Sequence, residues 1–403
     1  RLAGELCWLW LRGPDRLVST KEVSTTPSPA LPLVLSGVKG LATFDMLRTF
    51  WLSALGYRLA AGSGQRRLAG ILGLTLSATL RSLQRPLGNR LRATCVELLD
   101  PDDAYAQATL HSTDAWVALS TARWQDAWDL GEAALGLFEA RCAGTRHERS
   151  LAQSYMGTAL QYLGRLQEQV DFTGTALRQA EEAGDRNGVL GVSMQRSFAW
   201  LTLDQPEQAR AVCQRVRDLC DTEDFGWRQL LLGAREGETD RYLGEVAVAW
   251  ARAGRLEAAV EKAGYGRYPL ARYLVLVARG QAAAMALLEP TEGVPAPTFL
   301  QTTLSDCARG LIAQQQGVSI AEGTMLQAAL AAYEGDRSGA TALLRDARER
   351  YSDLDQVLHA LGCDIQIARL QDVSDDDLIL ELATAGARDP DRWLRAYLPC
   401  FAA

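Results

Sequence analysis

Two pairs of residues have types and spacings that chemistry could use. His359 and Cys363 are four residues apart on a predicted helix, so their side chains would share one face and could hold a metal ion. A zinc site needs two further ligands, and packing in the core is the simpler interpretation of this pair. Cys142 and His147 could form a thiol–imidazole pair, but they fall in a predicted loop with no evident third group to orient the imidazole. We predict no catalytic, cofactor-binding or metal-ligating residue in this chain.

The tripeptide Asp-Phe-Gly at residues 224–226 matches the metal-binding segment of protein kinases. A working kinase also needs an upstream His-Arg-Asp loop with its Asn, a Gly-rich phosphate loop and a β-strand Lys. This chain has none of them, and His147 is followed by Glu-Arg. The Gly-rich segment at residues 61–67 lacks the spacing of a phosphate-binding loop and favours a helix-ending turn. We interpret the tripeptide as a chance match and predict that this segment is not an enzyme.

The composition is that of a soluble globular chain with ample apolar surface for a core. Of 403 residues, 48% are hydrophobic and 23% charged, with a net charge of −7. The negative charge argues against nonspecific nucleic-acid binding, which needs a basic footprint. The eight cysteines are scattered without a CxxC pair, which is typical of a reduced, cytoplasmic compartment. The longest charge-free apolar run near the N-terminus covers 13 residues, 68–80, fewer than the roughly 18 of a membrane span. We therefore expect no nucleic acid and no membrane among its partners.

Small residues recur along the chain at a spacing near 40 residues. Gly157 and Gln169 lie on two predicted helices that the turn Leu-Gly-Arg at 163–165 separates. This layout is that of a tetratricopeptide (TPR) hairpin, in which a small residue lies where the two helices cross. The same layout recurs at four further pairs of positions: Ala115 with Ala127, Ser197 with Ala209, Ala247 with Ala259, and Ala328 with Ala340.

Small residues let two antiparallel helices approach to roughly 8–9 Å. One hairpin cannot bury its apolar stripe alone, so successive hairpins stack and share a core. Strand signals are nearly absent, since no alternating Val, Ile, Thr or aromatic run is bounded by Asn-Gly or Asp-Gly. The sequence thus predicts an all-α fold, an α-solenoid of TPR-like antiparallel helix pairs.

The predicted organisation has three parts. Residues 1–100 are expected to form degenerate helical repeats with a Ser/Thr/Pro-rich linker at 19–32. Residues 101–350 are the TPR-like repeat array, and residues 351–403 are three C-terminal capping helices. A basic run about a Pro-Gly turn is expected to be solvated; its members are Arg81, Arg85, Arg90 and Arg92. The chain opens with Arg rather than Met, which we interpret as a piece of a longer protein.

Several segments occur in an order that resembles a known family. They are LRGPDRLVS, LFEARCAGT, ALQYLGRLQE, EEAGDRNGVLGVSMQRSFAWLTLDQPEQAR and the ending GARDPDRWLRAYLPCF. These segments resemble the C-terminal, TPR-like helical region of large bacterial eukaryotic-type serine/threonine protein kinases. In that family a kinase domain, often followed by an ATPase-like module, precedes the helical region. The ending LPCF departs from the usual Pro-Gly of the family, which affects the terminal turn and not the fold.

The resemblance implies a non-catalytic interaction or sensor region of a signalling kinase, with the catalytic domain before Arg1. Its partner would be a protein or peptide, including the chain's own kinase or ATPase-like modules, with no cofactor. Two alternatives stay open: the helical arm of an ATP-dependent transcription activator and an autonomous helical enzyme. The absence of a C-terminal helix-turn-helix and of basic charge weighs against the activator.

Stacked TPR hairpins curve, and the first helix of each pair lines the concave side where partners bind. Aromatic and Arg side chains are enriched where binding energy concentrates. From the register of small residues we predict a concave binding face that consists of Trp116, Gln161, Tyr162, Phe198, Thr202, Arg241, Arg252 and Tyr333. For Trp116 and Phe198, packing between neighbouring repeats is the alternative.

Overall fold

The structure is a computed structural model that describes residues 4–5, 13–14, 30–41, 46–220 and 225–399. Within these ranges the chain forms 19 α-helices and no strand, in which consecutive helices pack against each other. The predicted all-α solenoid of helical repeats is confirmed. Asp224 of the kinase-like tripeptide and most of the predicted linker at 19–32 lie outside the described residues.

The helices are α1 Ala30–Leu41, α2 Met46–Gly62, α3 Arg66–Ser82, α4 Pro86–Leu98, α5 Ala104–Ser120, α6 Trp124–Arg141, α7 Arg146–Tyr162, α8 Leu166–Glu182, α9 Arg186–Thr202, α10 Pro206–Leu219, α11 Trp227–Tyr242, α12 Val246–Lys262, α13 Pro269–Leu288, α14 Pro297–Ile312, α15 Gly317–Tyr333, α16 Arg337–Asp353, α17 Val357–Leu370, α18 Asp376–Thr384 and α19 Pro390–Tyr397. Helix α1 begins at Ala30, so the last three residues of the predicted linker are helical.

Most of the short turns between helices contain a residue with positive φ. Gly164 has φ 69° and Gly244 has φ 75°, a left-handed conformation that glycine adopts without a Cβ clash. Asp204 (φ 52°) and Asp355 (φ 55°) take the same place in other turns, as Asp tolerates this region better than most residues. Such turns fall at 164, 184 and 204, which are 20 residues apart, so a helix pair repeats about every 40 residues. The turn residues thus explain the spacing found in the sequence.

The chain divides into two compact units. Unit 1 comprises residues 1–156 with 182–188, and unit 2 comprises residues 157–181 with 189–403. In unit 1, the apolar faces of α1–α4 and the start of α5 enclose a core around Tyr57, Leu72 and Leu91. In unit 2, one continuous core runs from Leu166 to Leu398 and includes residues of α19.

The predicted register of small residues is correct for four of the five helix pairs. Ala115 and Ala127, for example, lie on the consecutive helices α5 and α6 and are fully buried. Ala247 and Ala259 instead lie on one helix, α12, so their assignment to two helices is wrong. The turn of this hairpin is Leu-Gly-Glu at 243–245, which joins α11 to α12. Ala residues are frequent along α12 itself, so small residues at the expected spacing occur within this one helix.

The basic run of unit 1 is only partly solvated. Arg85 and Arg90 are exposed, whereas Arg81 on α3 and Arg92 on α4 both form ion pairs with Asp114 on α5. The prediction of a solvated run is therefore wrong for Arg81 and Arg92. Their guanidinium groups connect three helices of unit 1.

Helix α13 is the described helix that is long and apolar enough to cross a membrane by length and composition. In the structure, 67% of this apolar segment is buried. The helix packs on its neighbours α12, α14 and α15, and its buried residues include the small residues Gly280, Ala282, Ala283 and Ala284. Its apolar character is accounted for by its place in the core of unit 2.

Candidate interaction surface

The last helix of the chain, α19, does not continue the stack of hairpins. Its N-terminus is capped by the Asp389 side chain, which accepts a hydrogen bond from the backbone N–H of Arg392 at 3.0 Å. The helix then packs against α11 and α13, which belong to hairpins far earlier in the sequence. Trp393, Leu394 and Tyr397 are all buried, with exposed fractions of 0%, 2% and 5%. The helix therefore fills a groove in unit 2, which we call the α19 groove.

Three side chains of the α19 groove donate hydrogen bonds to the backbone at the end of α19. The Arg241 Nε of α11 donates to the carbonyl of Ala396 at 3.0 Å. The Gln281 Nε2 of α13 donates to the carbonyl of Tyr397 at 3.0 Å, and the Gln366 Nε2 of α17 donates to that of Leu398 at 3.3 Å. Carbonyls at a helix C-terminus have no partner within the helix. The groove thus supplies those partners from three different helices, and it does so whatever side chains the bound helix carries.

Aromatic residues form the centre of the α19 groove. Phe198 of α9 meets Tyr397 edge to face, with ring centroids 5.2 Å apart, and His359 of α17 lies 5.2 Å from Trp393. Burial lowers the pKa of His359 to about 4, so this ring is neutral at pH 7. Gly362 of α17 lies so close to α19 that a Cβ there would overlap the Leu398 side chain. A side chain at this position would therefore force the Leu398 side chain to move.

Ion pairs surround this apolar centre. Arg392 pairs with Asp204 at 3.2 Å, and Arg395 pairs with Glu289 at 3.1 Å. All four side chains are between 37% and 46% exposed, so each pair is at the border of the groove and open to solvent. Because exposed pairs contribute little free energy, we assign most of the binding of α19 to its buried centre.

A second group of polar residues lies next to the α19 groove. Arg235 of α11 pairs with Glu238 at 2.8 Å and donates a hydrogen bond to the Gln161 Oε1 at 3.2 Å. Tyr162 follows Gln161, and desolvation raises the pKa of its hydroxyl to about 12. Because the Gln161 Oε1 already accepts a hydrogen bond from Arg235, the Gln161 side chain is less available to a separate partner.

Glu322 of α15 is a buried carboxyl group with an exposed fraction of 4%. Burial raises its pKa to about 7, although Tyr351, Arg241 and Gln281 favour the charged form. Its Oε2 atom has no hydrogen-bond partner. This carboxyl therefore changes its charge near neutral pH. It lies beside Arg241 and Gln281, which donate hydrogen bonds to the end of α19.

An open cavity of about 430 Å³ lies between α10, α11 and α12. Its lining includes three arginines and three carboxylates: Arg210, Arg217, Arg252, Glu236, Asp240 and Glu245. Arg252 pairs with both Glu236 and Asp240, Arg217 pairs with Glu236, and Arg210 pairs with Glu245. The charges of these six side chains balance, so the cavity offers no net charge to a ligand.

Four of the eight residues predicted on a concave face are buried, namely Gln161, Phe198, Thr202 and Arg241. Phe198 and Arg241 contact α19, and the carbonyl of Thr202 accepts a hydrogen bond from the Arg388 N–H at 2.9 Å. These positions differ from the expected open face because the C-terminal segment of the chain and Arg235 cover them. A role for them in binding a separate partner stays a prediction.

The other four predicted residues are more accessible. Trp116 belongs to unit 1, where its ring lies 5.5 Å from that of Tyr155. Tyr162 and Arg252 are half-buried, and Arg252 lies on the second helix of its pair because of the register error described above. Tyr333 is 39% exposed at the end of α15.

The residues that could do chemistry are placed as packing residues. Cys363 is buried on α17 one turn from His359, and no group of three His, Cys, Asp or Glu side chains that could hold a metal occurs among the described residues. The pKa of Cys142 is raised, first by burial and then by the carboxylate of Asp103, the opposite of what a nucleophilic thiol needs. The six described cysteines are free thiols.

Sequence reasoning missed both sides of this contact: Gln281 and Gln366 of the groove, and Trp393 and Tyr397 of α19. The segment Trp-Leu-Arg-Ala-Tyr-Leu at 393–398 has large apolar residues at positions that share one helix face, which was the available signal. Neither a protein-family model nor a curated protein matches the chain.

Proposed function

We propose that this chain is the non-catalytic, protein-binding region of a multidomain bacterial signalling serine/threonine kinase that acts in the cytoplasm. The observation that carries the proposal is the α19 groove, in which Arg241, Gln281 and Gln366 donate to the terminal carbonyls of a helix. A surface that recognises a helix through its backbone and a few aromatic contacts is suited to binding helical segments of proteins. The kinase part of the proposal is supported by the family resemblance of the sequence alone.

The partner in this proposal is a helical segment of another protein or of the chain's own kinase or ATPase-like module. Calorimetric titration can test it, with the segment encoded upstream of Arg1 produced as a separate chain. We expect binding to residues 1–403, and weaker binding when Arg241 and Gln281 are both changed to Ala. Arg309→Ala is the matched control, because this side chain is 70% exposed and its ion pair is with Asp306 of its own helix. Absence of a kinase sequence upstream, or a failure of the two chains to bind, would contradict the proposal.

The proposal also assigns no chemistry to the tripeptide at 224–226. Residues 1–403 are expected neither to bind ATP nor to transfer phosphate. Asp224→Ala should leave the kinase activity of the longer protein nearly intact, whereas a change of the catalytic Asp of a kinase domain abolishes it. A loss of similar size in Asp224→Ala would show that the tripeptide is functional.

A further inference from the structure

Helix α19 contacts residues that are remote in the sequence. Gln281 and Tyr397, which are hydrogen-bonded, are separated by 116 residues, and Asp204 and Arg392 are separated by 188. In a helical-repeat array each repeat contacts mainly its neighbours. Helix α19 therefore packs across several hairpins of unit 2 and does not extend the array.

The contact between α19 and its groove has the anatomy of a protein–protein interface. Trp393, Leu394 and Tyr397 form a fully buried apolar centre, and exposed ion pairs such as Arg392–Asp204 form the border. Specific interfaces have such an apolar centre and polar border, with aromatic residues as the main anchors. The groove is thus built to receive a helix of this chemistry.

Several polar atoms in this contact have no hydrogen-bond partner. They are the indole Nε1 of Trp393, the hydroxyl of Tyr397 and the Oε1 atoms of Gln281 and Gln366. All four residues are at least nine-tenths buried. A buried polar group without a partner costs free energy, so α19 satisfies its groove incompletely. A second helix that donated hydrogen bonds to the Oε1 atoms of Gln281 and Gln366, the two unpartnered groups of the groove itself, could bind the same groove more tightly.

We propose that the α19 groove is a receptor for a short basic helix of a partner protein, and that α19 occupies it as an intramolecular competitor. This inference rests on the proposed function and assigns its ligand and its regulation. The ligand carries an aromatic residue followed by Leu, and a second aromatic residue four positions after the first. Its flanks carry Arg residues that face Asp204 and Glu289, and its last carbonyls are free to accept hydrogen bonds.

Competition with α19 lowers the apparent affinity for the partner. Only the fraction of molecules with an empty groove can bind, so the apparent dissociation constant rises by the inverse of that fraction. Attachment to the same chain gives α19 an effective concentration on the order of millimolar. The region is therefore autoinhibited, and partner binding releases α19.

The direct test is fluorescence anisotropy with a labelled synthetic peptide of residues 387–399. The peptide is titrated against a chain ending at Gly386, which lacks α19, and against a control chain ending at Pro399. We expect affinity at least about tenfold higher for the chain without α19, because its groove is empty. A peptide with both Trp393 and Tyr397 changed to Ala should bind neither chain. Gly362→Leu in the shortened chain should abolish peptide binding by filling the space of Leu398.

Three results would overturn the inference. The shortened chain could keep its helical circular dichroism and fail to bind the peptide, or both chains could bind it equally. Loss of helical structure on shortening would show that α19 is an obligatory part of the core. A variant of the full chain with Trp393→Ala and Tyr397→Ala gives independent evidence, because these side chains form the buried centre that holds α19. It should accelerate hydrogen exchange in residues 387–398 and raise affinity for the peptide, and an unchanged exchange rate would also contradict the inference.

The same chains separate this inference from the proposed function. If the upstream kinase segment binds equally to the chains ending at Gly386 and Pro399, α19 is not a competitor although the proposed function stands. If the peptide binds the shortened chain and the upstream segment binds neither chain, the groove is a helix receptor and the kinase assignment falls.

Discussion

The buried carboxyl of Glu322 makes the stability of unit 2 depend on pH. Burial raises the pKa of this carboxyl from an ordinary value of 4.5 to about 7, so the folded chain binds the proton more tightly than the unfolded chain. Between these two values the unfolded state has fewer bound protons, and stability falls as pH rises. Above about pH 7 both states are ionised, and the loss is complete. The groups that face Glu322 are Tyr351, Arg241, Gln281 and Glu238.

We expect Glu322→Gln to flatten the decrease of melting temperature between pH 5 and pH 8, because an amide does not ionise. The variant should gain stability relative to the parent chain at pH 8 and not at pH 5. Burial lowers the pKa of His359 from 6.5 to about 4, so His359 contributes the opposite slope below pH 6.5 in both chains. Melting curves with the same pH dependence in the two chains would show that the Glu322 carboxyl keeps an ordinary pKa.

Gly157 lies where two helices of unit 2 pack closely. A Cβ at this position would lie 3.0 Å from Thr173 Cγ2, and the Gly157 carbonyl accepts a hydrogen bond from the Gln169 Nε2 at 2.9 Å. Gly157→Leu should therefore destabilise the chain by about 1–3 kcal/mol, through overpacking. Gly174→Leu is the control, since a Cβ there would meet only the ends of two Arg side chains. Chemical denaturation of both variants measures the difference, and equal stabilities would contradict the close packing at Gly157.

At the scale of helices, Asp114 joins three elements of unit 1. Its carboxylate accepts hydrogen bonds from Arg81 of α3 and from the Arg92 Nε of α4 at 2.9 Å, and it is 8% exposed. Burial would raise the pKa of Asp114, but the hydrogen bonds from Arg92 and Arg81 outweigh burial and lower it. The stability that Asp114 adds by pairing with Arg81 and Arg92 is therefore present above the ordinary pKa of 3.8 and is lost as pH falls.

Asp114→Asn should destabilise the chain by about 1–3 kcal/mol. This is less than the loss expected when a fully buried ion pair is broken, because Arg92 is 35% exposed and water partly screens its charge. Asp126→Asn is the matched control: this carboxylate pairs with Arg123, and both side chains are about half exposed. Asp126→Asn should lower the free energy of unfolding by less than about 1 kcal/mol. Urea denaturation at pH 7 compares the two variants. A cost for Asp114→Asn no greater than that of the control would contradict a structural role for this cluster.

The helix pairs were predictable because their signals are local. The short turns, the small residues at crossings and the scarcity of strand patterns are all visible within windows of about 40 residues. The register error at Ala247 and Ala259 has a local cause too. Small residues occur at many helix positions in an Ala-rich chain, whereas the turn itself contains Gly244, which has φ 75°. Turn residues are therefore the better guide to register in this sequence.

At the scale of the whole molecule, the candidate site could not be predicted in the same way. The contacts of Arg241, Gln281 and Gln366 with α19 join residues between 32 and 155 positions apart. No spacing rule links such residues, because their meeting depends on how successive hairpins curve. Phe198 and Arg241 were predicted on a binding face, and both contact a bound helix, but that helix is supplied by the chain itself.

These long-range contacts should make unit 2 unfold more cooperatively than a simple array. In an array with contacts only between neighbours, repeats can unfold one after another. Helix α19 contacts α9, α11, α13 and α17, so opening any of these helices also disturbs the others. We expect a chain ending at Gly386 to unfold in urea over a broader range, with a lower m-value, than the control chain ending at Pro399. Hydrogen exchange should show the same change as faster exchange in α9 and α11 relative to α15. Identical transitions in the two chains would mean that the hairpins alone set the cooperativity of unit 2.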